Sequence, residues 1–237
     1  SLLFRNRPLF RAALGESFFW FLASLATSAI TLLGDEVLGL SKTNTGLLAI
    51  ALVVGVGIGS VLAGLMSGDK VELGLVPFGS LVIVASALGI WSVTHDVDLA
   101  TQAAAIWPAA IWLSVLGLGA GFFIVPLVAF VQDRSDRQVR GTILAAANFV
   151  TFSMTIIAAI TYYLMTDPDW LGWGAPTVFL AAGIGTIPIL IYVIWLLPQA
   201  TIRFFVWLAS RTVYRVSVHG LNNLPGTGGA LLLANHM

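Results

Sequence analysis

Residues 46–74 read GLLAIALVVGVGIGSVLAGLMSGDKVELG. From Thr45 to Met66 there is no charged residue, and a run of about 20 apolar residues is what a helix needs to cross the hydrocarbon core of a bilayer. It ends in a short loop carrying Asp69, Lys70 and Glu72, and a second apolar run follows at once. Span, tight charged loop, span is the pattern of a transmembrane hairpin. The same alternation continues in both directions. It gives six predicted spans: Ala12–Leu33, Thr45–Met66, Leu73–Val93, Ala103–Val131, Thr142–Met165 and Pro176–Leu197. The fourth holds Pro108 and Pro126, so a kink or a late start is expected there.

Composition agrees. Of 237 residues, 58% are hydrophobic and 9% charged, against about 25% charged in an ordinary soluble domain. The mean hydropathy is +0.96. There is no cysteine, which excludes disulfides and thiolate metal sites, and no metal site is read elsewhere. A charged segment followed by a cleavage site is not found at the start. With neither an initiating Met nor a natural stop, the chain is expected to be a fragment.

The net charge of zero hides an asymmetry. When the loops are assigned to alternating sides, one side receives ten of the eleven Lys and Arg residues and the other only Lys42. The positive-inside rule places the first side in the cytoplasm. Both ends of the chain are then cytoplasmic.

Glycines pattern the second and fourth spans. Gly55 with Gly59, and Ser60 with Gly64, form small-xxx-small pairs that let helix backbones approach closely. Gly117, Gly119 and Gly121 repeat the device in the fourth span. Static packing accounts for them as well as sliding does.

The loop SGDKVELG, with Gly68, Asp69, Lys70, Glu72 and Gly74, resembles the inter-helix loop motif of the major facilitator superfamily. The resemblance implies that Asp69 approaches a helix N-terminus and a nearby Arg, latching the outward-facing state; a carboxylate favours the positive end of a helix dipole. The fifth span opens with Arg140 and Gly141, which implies an Asp69–Arg140 latch flanked by Lys70 and Glu72. The run PLVAFVQDRSDRQVRGTILAAANFVTFSMTI is similar to the lysophospholipid transporters of that superfamily, through Pro126, Gln132, Arg140, Gly141, Ala146, Ala147, Asn148 and Phe149. It departs from them in carrying Ala147 where a first Asn is expected. Superfamily members have two six-span halves, so residues 1–198 resemble the C-terminal half, with the N-terminal six-helix half missing.

Two polar residues inside the spans are candidate substrate contacts. Glu16 lies about one turn into the first span, where its carboxylate either snorkels to the interface or turns into a cavity. Asn148 lies deeper in the fifth span, and either bonds a neighbouring helix or meets a lipid headgroup. His95 falls in an acidic external loop and reads as solvated.

The tail differs. Residues 199–213 mix Phe204, Phe205, Trp207 and Leu208 with Arg203 and Arg211. This fits an amphipathic helix lying in the membrane interface. Over 214–237, YRVSVHG alternates like a strand, NNLPGTGG is turn chemistry, and ALLLANHM reads as a short buried strand. That order resembles the entry to glycerolipid acyltransferases of the 1-acylglycerol-3-phosphate class. The resemblance implies the truncated start of an α/β domain in which His236 is a general base, acting with an Asp beyond Met237 and an acyl thioester donor.

The expected molecule is thus an all-α integral membrane six-helix half, an interfacial helix and the first strands of an acyltransferase domain. Its expected partners are the lipid bilayer, a lysophospholipid and the missing half; no nucleic acid and no cofactor within this fragment are expected. The expected location is the bacterial cytoplasmic (inner) membrane. Two competing readings remain: a membrane anchor for an acyltransferase without transport, and a facilitator of another small solute.

Overall fold

The computed structural model describes residues 2–68 and 70–212. Among them the regular structure is all helical: α1 (Leu2–Arg5), α2 (Arg7–Leu32), α3 (Lys42–Ser67), α4 (Leu75–Thr94), α5 (Gln102–Arg134), α6 (Arg140–Thr166), α7 (Ala175–Leu196) and α8 (Pro198–Thr212). A π-helical turn, Leu33–Val37, extends α2. Six of these segments are long and apolar enough to cross a membrane. The strands expected over 214–237, and His236 with them, lie outside the described residues.

Local chemistry sets the ends. Asn6 caps α2, its side-chain oxygen accepting from the Leu9 N–H at 3.3 Å, and Pro8 follows in the first turn. This moves the start of the first span to Arg7 from the expected Ala12. Ser41 caps α3 in the same way. At the other end of α3, Gly68 has φ +55°, a backbone region that favours glycine and that turns the chain sharply into the motif loop.

α5 starts at Gln102 and runs unbroken to Arg134 with Pro108 and Pro126 inside it. The expected late start does not occur. Neighbouring helices pack on both sides of α5 and tolerate the prolines.

α5 is the central helix, packed against α3 on one side and α4 on the other; α4 continues onto α7, and α2 packs on α6. The α3–α5 contact is a glycine seam. A methyl group at Gly55 or Gly59 would collide with the carbonyls of Ser114 and Leu118, and one at Gly117 or Gly121 with the α3 backbone at Leu52 and Ser60. Gly79 of α4 would meet the Phe123 amide at 2.6 Å. The Ser60–Gly64 pair does not act as expected. Gly64, like Gly57, has nothing within 4 Å of where a Cβ would stand, because it points away from α5.

Burial ranks the helices. Half of the apolar window of α4 and of α5 is buried, against 22% for α3 and 17% for α6. α3 and α6 therefore turn broad apolar faces outward, with Val53, Val61 and Leu65 on one and Phe149, Phe152 and Ile156 on the other.

Candidate functional site

The α2–α6 seam carries two side-chain hydrogen-bond contacts between spans. Ser17, fully buried, donates to the Ala13 carbonyl at 2.8 Å and lies 3.3 Å from the Thr151 hydroxyl. Further along, the Tyr162 hydroxyl donates to the Ser28 carbonyl at 3.3 Å. These bonds hold α2 and α6 in register. Beside them runs an outward-turned stripe. On α2 it carries half-buried Glu16 and exposed Trp20, Thr27 and Thr31; on α6 it carries exposed Asn148, Phe149 and Phe152.

Glu16 immediately precedes Ser17, and Asn148 lies one helical turn before Thr151, so the hydroxyl pair sets both at a similar level of the seam. Neither side chain makes a hydrogen bond within the described residues. Such a face offers a carboxylate, an amide and hydroxyls for a polar group, with aromatic rings alongside for an apolar one.

The expected Asp69–Arg140 latch falls partly outside the described residues, while the rest of the motif loop is described. Asp69 lies outside the described residues, and Lys70 is exposed. Glu72 pairs with Arg203 of α8, one guanidinium nitrogen donating to both carboxylate oxygens at 2.9 Å. Glu72 also accepts from the Gly74 N–H at 3.2 Å. Gly74 sits directly beneath α8, where a Cβ would fall 2.6 Å from the Ala200 carbonyl. Phe204 is buried with Ala63, Leu75 and Phe122, its ring 5.7 Å from that of Phe78. Arg140, at the start of α6, donates from Nη2 to the Ser135 carbonyl at 3.2 Å, while its Nε is buried with no hydrogen-bond partner among the described residues.

The opposite end of the bundle carries the acidic loops. Asp98 precedes α5 and accepts from the Thr101 hydroxyl at 2.7 Å and from the Thr101 and Ala100 amides. The Thr101 bonds hold its carboxyl below the ordinary value of 3.8. His95, read from sequence as solvated, is exposed, and it also stacks on Trp91 at 4.2 Å, donates to the Trp91 carbonyl and meets Asp96 at 2.8 Å.

A family model described as the Major Facilitator Superfamily matches residues 1–159. The chain belongs to the Major Facilitator Superfamily. With its six helices long and apolar enough to cross a membrane, it is an integral membrane protein. It is similar to the lysophospholipid transporter LplT of Escherichia coli O9:H4 (strain HS), 26% identical over 191 residues, which cover 78% of this chain and 43% of that protein. It is also similar to LplT of Photorhabdus laumondii subsp. laumondii, 27% identical over 188 residues with the same coverage. The chain thus spans less than half the length of these relatives. No solved structure matches it.

Sequence reasoning missed three features of this superfamily member. The Glu72–Arg203 pair joins residues 131 apart; the available signal was their opposite charge on one side of the membrane. The Ser17–Thr151 and Tyr162–Ser28 bonds left no signal, since α2 and α6 each carry several hydroxyl residues and nothing local marks which of them pair.

Proposed function

We propose that this chain is the C-terminal half of a lysophospholipid flippase of the bacterial inner membrane, joined to the start of an acyltransferase domain that re-acylates the delivered lipid. The observation that carries the transport reading is the outward polar and aromatic stripe of α2 and α6. An anchor needs no such face, and a carboxylate and an amide at membrane depth are costly unless they meet a partner. In this reading the stripe faces the missing half across the transport path. Glu16 and Asn148 contact the headgroup, and the aromatic side chains accompany the acyl chain. The names of the similar transporters support the substrate class.

The ten-to-one distribution of basic residues supports cytoplasmic chain ends. The orphaned Nε of Arg140 supports a carboxylate latch with Asp69. The pattern around His236 supports its role as the general base that activates the glycerol hydroxyl toward an acyl thioester.

The test uses the full-length protein in proteoliposomes. Glu16→Gln and Asn148→Ala should each slow lysophospholipid uptake about tenfold, the effect of one lost hydrogen bond to a charged group, with unchanged expression. His236→Ala should abolish acyl transfer and leave uptake intact. Uptake unaffected by both seam variants would remove the site.

A further inference from the structure

A cavity of ≈ 400 Å³ lies between α2, α4, α5 and α7, near the end of the bundle that bears the basic residues. Its walls include Gly15, Phe18, Leu127, Phe130 and Val193, and the side chains that bring polar atoms to it are Arg11 and Tyr192. No residue of α6 lines it, so it is separate from the α2–α6 seam. Gly15 and Phe18 face it on α2, while Ser17 turns away to Thr151.

Four observations bear on what fills it. A cavity of this size is within the range of small-molecule sites, and protein interiors do not leave such space empty without losing packing contacts. Its apolar walls give water few partners. Its rim is open: Leu14 is 38% and Tyr192 43% exposed. Arg11 is exposed as well and makes no hydrogen bond or ion pair within the described residues. It stands in the second turn of α2, at the level where lipid phosphates lie if the helix enters the bilayer there. A guanidinium recognises a phosphate by its planar set of donors.

We infer that this cavity is a phospholipid site, holding one acyl chain between α2, α4, α5 and α7 with the lipid phosphate on Arg11. The site is lateral to the transport path. The inference rests on the membrane placement of the chain and not on the transport reading, because lipid retention is measured without transport.

The experiment is native mass spectrometry of the full-length protein in mild detergent, titrated with three probes: lysophosphatidylglycerol, phosphatidylglycerol and monoacylglycerol. One phosphate-bearing lipid should stay bound, and monoacylglycerol should bind at least about tenfold more weakly, as loss of a charged hydrogen bond implies. Retention of both phosphate lipids identifies one chain of any phospholipid as the occupant; retention of the lyso form alone narrows it to single-chain lipids. Arg11→Gln should remove the preference for phosphate, whereas Arg7→Gln, outside the cavity, should keep it. Val193→Phe, and Gly15→Val from the opposite wall, should weaken all three probes, with monodispersity checking the fold and whichever variant stays monodisperse carrying the test. Equal affinity of Arg11→Gln and wild type for phosphatidylglycerol, or undiminished binding in the folded filling variant, would overturn the site.

Discussion

At the residue scale, Arg203 and Phe204 hold α8 by unequal means. The Arg203 side chain is 67% exposed and that of Glu72 20%, and exposed ion pairs contribute about 0–1 kcal/mol. Phe204 is 2% exposed within an aromatic group, and removing a buried Phe costs about 3–5 kcal/mol. Phe204→Ala should therefore release α8, seen as fast amide exchange over 199–212, while Arg203→Ala should change exchange there only slightly. A larger effect of Arg203→Ala than of Phe204→Ala would mean that the ion pair, and not the ring, seats the helix. Asp98 gives a pH-dependent case. Its carboxyl is held low by Thr101, so the charged form favours the folded loop. That contribution is present above the ordinary Asp value and is lost as pH falls through the lowered one. Amide protection at Ala100 and Thr101 should fall in that acid range, and Asp98→Asn should flatten the dependence.

At the element scale, the glycine seam separates residues that look alike in sequence. Gly55 and Gly57 both lie on α3, yet a Cβ at Gly55 would strike the Ser114 carbonyl and one at Gly57 meets nothing. Gly55→Ala should cost about 1–3 kcal/mol through overpacking, read as a lower melting temperature in detergent. Gly57→Ala should be neutral or stabilising by up to about 1 kcal/mol, since Gly disfavours a helix interior. The existence of the spans was legible because the bilayer imposes a length and an apolarity that hydropathy reads directly. The role of each glycine was not, because helical phase relative to a neighbour depends on where that neighbour packs. The same reason hid the failure of the Ser60–Gly64 pair. The start of α2 was misplaced because Asn6 and Pro8 cap the helix within a charged segment that a hydropathy reading discards.

At the scale of the whole molecule, the six spans range from half-buried α4 and α5, through α2, to outward-facing α3, α6 and α7. In the proposed reading, the two-half plan of such transporters would give those outward faces a partner. Glu16 and Asn148 were visible in the sequence as polar residues at membrane depth, but their shared seam depends on the Ser17–Thr151 contact, which no local pattern announces. The central claim is that this seam belongs to a path for lysophospholipids. Its most direct test reconstitutes the full-length protein with headgroup-labelled lysophosphatidylethanolamine and follows how much label stays protected from a membrane-impermeant quencher added outside. The account predicts protein-dependent movement of the lyso lipid between leaflets, at least tenfold faster than that of the diacyl form and slowed about tenfold by Glu16→Gln. Movement no faster than in protein-free vesicles, or equal movement of both lipids, would contradict it.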